Sequence, residues 1–146
     1  LLHLHDTHNI TSIFITHDLN VVRHISDTIL VMYMGKICEI GTPDDIFAPP
    51  YHPYTEALLS AIPIIQPNIT QKKIRLEGSV PSPIEPVYGC VFHTRCPRKI
   101  GDICVNAPPP EVEVSPCHVI SCHIPLKELM NVTPVFSFKN EVMEGK

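Results

Sequence analysis

The sequence has little glycine, six residues in 146, and it contains no phosphate loop of the form G-x-x-x-x-G-K-[ST]. It also lacks a strand-like run that ends in a paired Asp-Glu. These residues therefore carry neither the loop that cradles nucleotide phosphates nor the acids that hold their magnesium. No apolar run approaches the ~20 residues that cross a bilayer. Basic residues form no block, and a formal net charge of −4 argues against nucleic acid as a partner.

Cysteine, by contrast, is concentrated, because five of the six cysteines fall within 33 residues. Their spacing is C-x5-C-x7-C, followed after a longer gap by C-x4-C. Most of the sixteen prolines surround them, so the second half is predicted to be extended and rich in loops. Such a concentration indicates a site in which sulfur holds a metal or cluster, or forms disulfides. These cysteines are Cys90, Cys96, Cys104, Cys117 and Cys122.

The first half begins with the pattern of an α/β protein. Thr11–Thr16 is a short β-branched run, typical of a strand buried on both faces of a parallel sheet. His17 follows at its carboxyl end. Asp18 then suits a helix N-cap, because apolar residues recur at helical spacing in Leu19–Ile25.

A β-hairpin and a second helix are predicted next. Thr28–Tyr33 and Lys36–Ile40 are strand candidates, separated by two residues that can turn the chain. Thr42 and Pro43, with two aspartates after them, have the order of an N-cap, a proline in the first turn and acids beside the helix N-terminus.

The stretch from Ile13 to Gly41 resembles the end of an ABC-transporter ATP-binding domain, and His17 falls on the switch histidine of that family. Three later motifs resemble the C-terminal extension of the oligopeptide/dipeptide importer ATP-binding subunits. The resemblance covers roughly residues 1–125, and it is closer to the second of the paired ATPase subunits than to the first. The motifs are Tyr51–Pro63, Leu76–Pro83 and Gly89–Pro97.

This resemblance implies an α/β fold. Residues 1–62 are expected to form the C-terminal edge of a P-loop ABC ATPase domain, consisting of a parallel strand, a helix and a β-hairpin. Residues 63–125 are expected to form the loop-rich, cysteine-containing extension, with 63–73 as a linker. Residues 126–146 are expected to be a tail, without regular structure from about Asn131. The chain is predicted to be the C-terminal part of a protein about twice as long.

The resemblance also implies a function. The whole protein would be the ATP-binding subunit of an importer of oligopeptides or dipeptides, and would use ATP and Mg²⁺. Its partners would be a second ATP-binding subunit, two transmembrane permease subunits and, indirectly, an extracytoplasmic peptide-binding protein. It would lie peripherally at the cytoplasmic face of the membrane. The present residues alone are predicted to be inactive. The alternative is a non-catalytic, metal-binding interaction module in 63–125, beside a vestigial ATPase half.

His17 is the candidate catalytic residue. A donor at the end of a buried strand can reach the γ-phosphate and help to position the attacking water. Imidazole suits this work because one nitrogen donates while the other is held by a neighbour. The alternative is that His17 merely ends a strand, and Asp18 is interpreted as a helix cap and not a base.

Four cysteines are the candidate cluster ligands, and the resemblance implies that they hold a [4Fe–4S] cluster. Thiolates are soft ligands that favour iron–sulfur clusters and zinc, and cluster ligands can come from well-separated loops. Disulfides are disfavoured, because the ATPase-like half indicates a reducing cytoplasm. The predicted ligands are Cys90, Cys96, Cys104 and Cys122.

Zinc is the alternative occupant of this site, with His93, His118 or His123 as alternative ligands. The paired C-x2-4-C spacing of common zinc sites is absent, however. Cys117 is an extra cysteine that could replace Cys122 as the fourth ligand. Cys38 lies in a predicted strand and is interpreted as a buried apolar residue.

Overall fold

The computed structural model describes residues 7–8, 10–64, 68–78 and 87–138. The helices of this part of the chain are α1 (Leu19–Ile25), α2 (Pro43–Phe47), α3 (Pro53–Ala61), α4 (Ile103–Asn106) and α5 (Leu126–Met130). The strands are β1 (Ile29–Tyr33), β2 (Lys36–Gly41), β3 (Ile69–Gln71), β4 (Glu111–Ser115), β5 (His118–Ser121) and β6 (Phe136–Phe138). No helix in these ranges is both long and apolar enough to cross a bilayer.

The strands form two antiparallel sheets. The larger one has the order β1-β2-β5-β4, so strands from the two halves of the sequence share it. β2 meets β5 over a short register, in which Glu39 lies opposite Ile120 and Ile40 opposite Val119. The smaller sheet pairs β3 with β6. The fold is therefore a mixed α/β arrangement around antiparallel strands.

The hairpin β1–β2 forms where the sequence predicts it. Side chains of β1 alternate between buried and exposed, as expected of a strand with one face against the core. Met34 and Gly35 both have positive φ, 48° and 74°, which gives the tight turn between the strands.

Both predicted helix starts are confirmed. The Asp18 carboxylate accepts a hydrogen bond from the Asn20 N–H at 2.9 Å and caps α1. At α2 the Thr42 hydroxyl accepts from the Asp45 N–H at 3.3 Å, and the Asp45 carboxylate accepts from the Thr42 N–H at 2.9 Å. This reciprocal capping box satisfies two donors that a helix N-terminus would otherwise leave unpaired.

The predicted parallel strand 11–16 is not formed. These residues carry no strand assignment, and Ile13 and Ile15 are 90% and 94% exposed. A strand of a parallel sheet needs a neighbour on its edge, and neither sheet of the described residues contains one for this segment. The β-branched composition alone therefore does not produce the strand here.

The second half has more regular structure than its prolines predict. The expected linker 63–73 contains β3, and the tail expected from Asn131 contains β6, which pairs with it. β4 and β5 form a second hairpin in the larger sheet. Prolines lie outside these strands, so their missing N–H groups leave the ladder intact. Residues 65–67, 79–86 and 139–146 lie outside the described residues.

A buried pair of ionisable side chains lies at the β2–β5 junction. Glu39 is fully buried, and His118 is 2% exposed. The His118 Nε2 lies 2.7 Å from Glu39 Oε1, and the His52 N–H donates to Glu39 Oε2 at 2.9 Å. Burial raises the pKa of Glu39, and the hydrogen bonds from His118 and His52 oppose that rise. The pair therefore connects positions 79 residues apart, where β2 and β5 share the shortest register of the larger sheet.

We expect His118→Leu to lower the free energy of unfolding by about 3–5 kcal/mol, because it leaves a buried carboxylate without its partner. The double variant Glu39→Gln/His118→Leu should recover most of this loss, since a neutral amide replaces the carboxylate and its oxygen can still accept from the His52 N–H. Urea unfolding of the single and double variants measures the difference. His123→Leu is the control, because its half-buried ring makes one hydrogen bond, to the Ala107 carbonyl. Equal losses in the single and double variants would contradict the role assigned to the pair.

Candidate four-cysteine site

The four predicted ligands come from three parts of the chain. Cys90 and Cys96 lie in the loop that follows the undescribed residues 79–86, Cys104 lies in α4, and Cys122 directly follows β5. Cys90, Cys104 and Cys122 are buried, with 7–8% of each side chain exposed, and Cys96 is half-buried. All six cysteines of the chain are free thiols.

Backbone contacts bring the loop and the helix together. The Cys90 N–H donates to the Cys104 carbonyl at 2.8 Å. Gly89 makes this approach possible, because a Cβ there would lie 2.4 Å from the carbonyl oxygens of both Cys104 and Val105. Only a residue without a side chain fits such a gap. Glycine at position 89 therefore sets the spacing between two of the cysteines.

The aromatic ring of Phe92 supports the loop that carries Cys90 and Cys96. Phe92 is fully buried, and its ring packs edge-on against Tyr33 at 5.3 Å and tilted against Tyr54 at 5.2 Å. The loop turns over Phe92, where the His93 N–H donates to the Cys90 carbonyl and the Arg95 N–H to the Phe92 carbonyl, both at 3.0 Å. The buried ring thus anchors the loop on β1 and α3.

Cys122 reaches the same region from the larger sheet. Its N–H donates to the Pro110 carbonyl at 3.1 Å, which fixes the end of β5 beside the start of β4. Its side chain belongs to an apolar group with Ile120, Ile124 and Leu129.

The thiols influence each other electrostatically. Burial is the main cause that raises the pKa of Cys96 and of Cys122, each to about 11, and it also raises the pKa of Cys90. Charge on Cys90 and Cys104 raises the pKa of both Cys96 and Cys122 further. Such coupling requires proximity, so these cysteines lie in one region. Cys38 lies there too, because charge on Cys90 and on Cys122 also raises its pKa.

The two remaining cysteines differ. Cys38 is 3% exposed in β2 and packs in the apolar group that contains Tyr33, Cys90, Phe92 and Cys104, so it is buried, as the sequence predicts. Burial raises its pKa to about 12. Cys117 is exposed in the turn between β4 and β5.

A single-metal site is not formed as the side chains stand. In the described part of the chain, no group of three or more His, Cys, Asp and Glu side chains is arranged to hold a metal ion. The three histidines considered as zinc ligands are also engaged elsewhere. His93 Nδ1 lies 2.7 Å from the Cys90 carbonyl, His118 pairs with Glu39, and His123 Nε2 lies 3.0 Å from the Ala107 carbonyl.

His17 lies in a separate place. It is exposed, directly before the N-cap of α1, and the neighbouring Thr16 hydroxyl accepts a hydrogen bond from the Asp18 N–H at 3.0 Å. His17 borders a cavity of about 270 Å³ between α1, β1 and α3, which no cysteine lines. The structure therefore does not bring the candidate catalytic residue and the candidate ligands into one site.

Sequence reasoning missed the ion pairs that Glu56 makes with Lys72 and Arg98. Glu56, in the first turn of α3, is 1% exposed and pairs with both Lys72 and Arg98. The only signal in the sequence is Arg98 itself, two positions after Cys96. A carboxylate in the first turn of a helix gives no indication of which distant cation it meets.

Comparisons with known proteins match most of this chain. Residues 38–104 match the family model described as oligopeptide/dipeptide transporter, C-terminal region. The oligopeptide transport ATP-binding protein AppF of Bacillus subtilis is 45% identical over 123 residues, which are 83% of this chain and 37% of that protein. The oligopeptide transport ATP-binding protein OppF of Salmonella typhimurium is 54% identical over 112 residues, 75% of this chain and 33% of that protein.

A relative from Sinorhizobium fredii, a probable peptide ABC transporter ATP-binding protein, is 44% identical over 124 residues, 85% of this chain and 35% of that protein. The chain thus spans about a third of the length of the curated relatives it matches.

We expect Gly89→Ala to separate the Cys90 loop from α4, because the added methyl group would overlap two backbone carbonyl groups. Backbone must then move, and overpacking of this kind costs about 1–3 kcal/mol. Urea unfolding and the reactivity of the buried thiols toward a maleimide measure the change, and both Cys90 and Cys104 should react faster. Tyr88→Ala is the control, since Tyr88 is 81% exposed. Unchanged thiol protection in the Gly89 variant would show that the close approach is not needed.

Proposed function

We propose that the chain is part of an ATP-binding subunit that energises peptide import, because residues 38–104 match the family model described as oligopeptide/dipeptide transporter, C-terminal region. The observation that carries the proposal is the continuous similarity to ATP-binding proteins of peptide transporters, over 75–85% of this chain. The similarity extends well beyond 38–104, so it includes the stretch before the hairpin and the cysteine region together.

The whole protein would bind ATP and Mg²⁺ and hydrolyse ATP in a pair with a second ATP-binding subunit. ATP hydrolysis would drive two transmembrane permease subunits, and an extracytoplasmic binding protein would deliver the peptide. The subunit would lie peripherally at the cytoplasmic face of the membrane. A non-catalytic metal-binding module is not favoured, because the relatives are described as ATP-binding proteins.

His17 would act as the switch histidine of that ATPase. Its ring is exposed beside an open cavity, directly before a capped helix. The ring would therefore be accessible to the γ-phosphate of a bound nucleotide. A donor in this position would stabilise charge as it develops on the γ-phosphate. The Asp18 carboxylate is occupied by the Asn20 N–H, which agrees with a capping role for Asp18 and leaves the imidazole as the candidate group.

The four cysteines would hold a [4Fe–4S] cluster, and the donor chemistry fits it. Three of them are buried and all four are free, and burial raises the pKa of Cys90, Cys96 and Cys122. What supports the cluster is the set of four free thiols, since no group of three or more His, Cys, Asp and Glu side chains in the described residues is arranged to hold a metal ion.

Buried donors without acceptors give a second argument for the fit. Within the described residues, the Tyr33 hydroxyl, Arg95 Nε and Arg98 Nη1 are buried and make no hydrogen bond. Tyr33 belongs to the apolar group of Cys90 and Cys104, and both arginines flank Cys96 in sequence. Unsatisfied buried donors are costly, and the sulfur atoms of a cluster would supply acceptors. When bound, the cluster would cross-link the loop, α4 and the end of β5.

Protein purified without oxygen should be brown and contain about four iron atoms per chain, as expected of a cluster on four thiolates. Replacing any one predicted ligand by serine should remove most of the iron. Cys38→Ala and Cys117→Ser are the controls and should retain it. Iron analysis and visible absorption measure the outcome. Colourless protein with one zinc per chain would refute the cluster, and loss of iron in the Cys117 variant with retention in Cys122→Ser would refute the choice of fourth ligand.

In the full-length protein, His17→Ala should lower kcat for ATP hydrolysis by about 10²–10³, the usual effect of removing one donor that acts in the transition state. Nucleotide affinity should change little, because the lost contact strengthens only as charge develops. Steady-state hydrolysis and nucleotide titration measure the two quantities. His24→Ala, an exposed histidine of α1, is the matched control. A near-normal kcat in the His17 variant would contradict the catalytic role proposed for His17.

A further inference from the structure

The last segment that the structure describes, residues 131–138, packs back against the first half of the chain. Its strand β6 pairs with β3. Val135, which precedes β6, is fully buried. The Val135 carbonyl accepts a hydrogen bond from the Lys72 N–H at 2.9 Å, and the Val135 N–H donates to the Tyr51 hydroxyl at 3.4 Å. Residues 131–138 are called the C-terminal strap, because they join β3 to the region that precedes α3.

The Tyr51 hydroxyl connects the strap to α2. Tyr51 lies between α2 and α3, and its side chain is fully buried. Its hydroxyl accepts from the Val135 N–H and donates to the carbonyl of Phe47, the last residue of α2, at 3.3 Å. A buried hydroxyl is costly unless it is hydrogen-bonded, and here both of its bonds go to backbone groups. Tyr51 therefore holds the strap and the end of α2 together.

Two side chains, Leu19 and Phe47, link the strap to α1. Both pack against the buried group that contains Val135, and both also pack against the buried group that contains Val22 of α1. The Arg23 guanidinium of α1 lies over the Phe47 ring, 4.7 Å from its centroid. A guanidinium in this position is attracted by the electrons of the ring face. Packing is thus continuous from the strap, through Phe47, to α1.

The helix α1 needs such contacts, because it has only seven residues. A helix this short is marginal in water without tertiary packing, and Val22 is the one buried residue of α1. The contacts of Leu19 and Arg23 therefore add to the packing that keeps α1 helical. His17 directly precedes Asp18, the N-cap of α1, so loss of helical order in α1 would release the imidazole from its position.

We propose that the C-terminal strap is a conformational device that keeps α1 ordered, with Val135 and Tyr51 as positioning residues for His17. This inference rests on the proposed role of His17 in ATP hydrolysis. A docked strap holds Phe47 against α1, which fixes the place of the imidazole at the helix start, and a detached strap removes that support. Detachment disrupts little structure, because β3 and β6 form a two-stranded sheet, and such a sheet has little stability of its own.

Hydrogen exchange of the 146-residue chain tests the coupling between the strap and α1 without any nucleotide. Val135→Ala keeps the backbone hydrogen bonds of the strap and removes buried methyl groups. The strap then docks more weakly, so the amides of α1 should exchange about tenfold faster. Leu129→Ala is the control, because Leu129 is also buried but packs in a different apolar group, with Ile120 and Ile124. It should leave the exchange of α1 unchanged.

The variant Tyr51→Phe isolates the hydroxyl, because it keeps the buried ring. Loss of the hydrogen bonds to the strap and to α2 should speed the exchange of α1 about threefold. Combined with Val135→Ala it should add less than this, since both substitutions loosen the same docked segment. If Val135→Ala fails to fold, Tyr51→Phe carries the test by itself.

Steady-state ATP hydrolysis by the full-length protein tests the positioning of His17. Val135→Ala should lower kcat about tenfold and leave nucleotide affinity unchanged, because a misplaced catalytic group slows the chemical step while the binding contacts remain. In a His17→Ala background, Val135→Ala should lower kcat no further. A residue that acts only through general stability would lower kcat in both backgrounds.

The outcomes separate this inference from the proposed function. Unchanged exchange of α1 in both Val135→Ala and Tyr51→Phe, or an equal rise in Leu129→Ala, overturns the coupling between the strap and α1. Faster exchange with a normal kcat, or a further loss of kcat in the His17→Ala background, overturns the positioning of His17 alone. A full-length protein that hydrolyses no ATP overturns the proposed function and that positioning role, whereas faster exchange of α1 would still support the coupling.

Discussion

The pairing of Glu39 with His118 is the interaction on which the rest of the structure depends. β2 and β5 share a short register, so few backbone hydrogen bonds join the hairpin of the first half to that of the second. The buried pair adds a side-chain connection at this point, and the His52 N–H ties the start of α3 to the same carboxylate. Breaking one partner leaves a desolvated charge, which makes the junction sensitive to substitution although it is small.

The position of one candidate ligand in the four-cysteine site, Cys122, depends on that junction. Cys122 follows β5 directly, so its position is fixed by how β5 lies against β2. Cys90 and Cys104 are fixed by a different device, the close backbone approach at Gly89. Phe92 then anchors the loop on Tyr33 of β1. The larger sheet and its aromatic contacts thus fix the positions of candidate cysteine ligands, which proline-rich loops alone would not bring together.

The same arrangement relates the two proposed roles of the chain. His17 precedes α1, which packs with β1 and α2 through Val22, Ile29, Val31 and Ile46. Cys90 and Cys104 pack with Tyr33 and Cys38 of the β1–β2 hairpin, and Cys122 directly follows β5 of the other hairpin. Since both hairpins belong to one sheet, a cluster that stiffens the second would also stiffen the support of the first. This gives the proposed cluster a structural part to play in an ATP-binding subunit, without any contact with nucleotide.

The sequence by itself determined the local structure: the caps of α1 and α2, the β1–β2 hairpin and the buried Cys38. These follow from short-range spacing, because caps, turns and alternation act over a few residues. Tertiary structure decided whether 11–16 would form a strand, since a strand exists only with a neighbour. It also decided that β5 adds to β2, that β3 meets β6, and that Glu56 pairs with Lys72 and Arg98. Each of these pairs residues far apart in the chain, and burial, not local propensity, selects such partners.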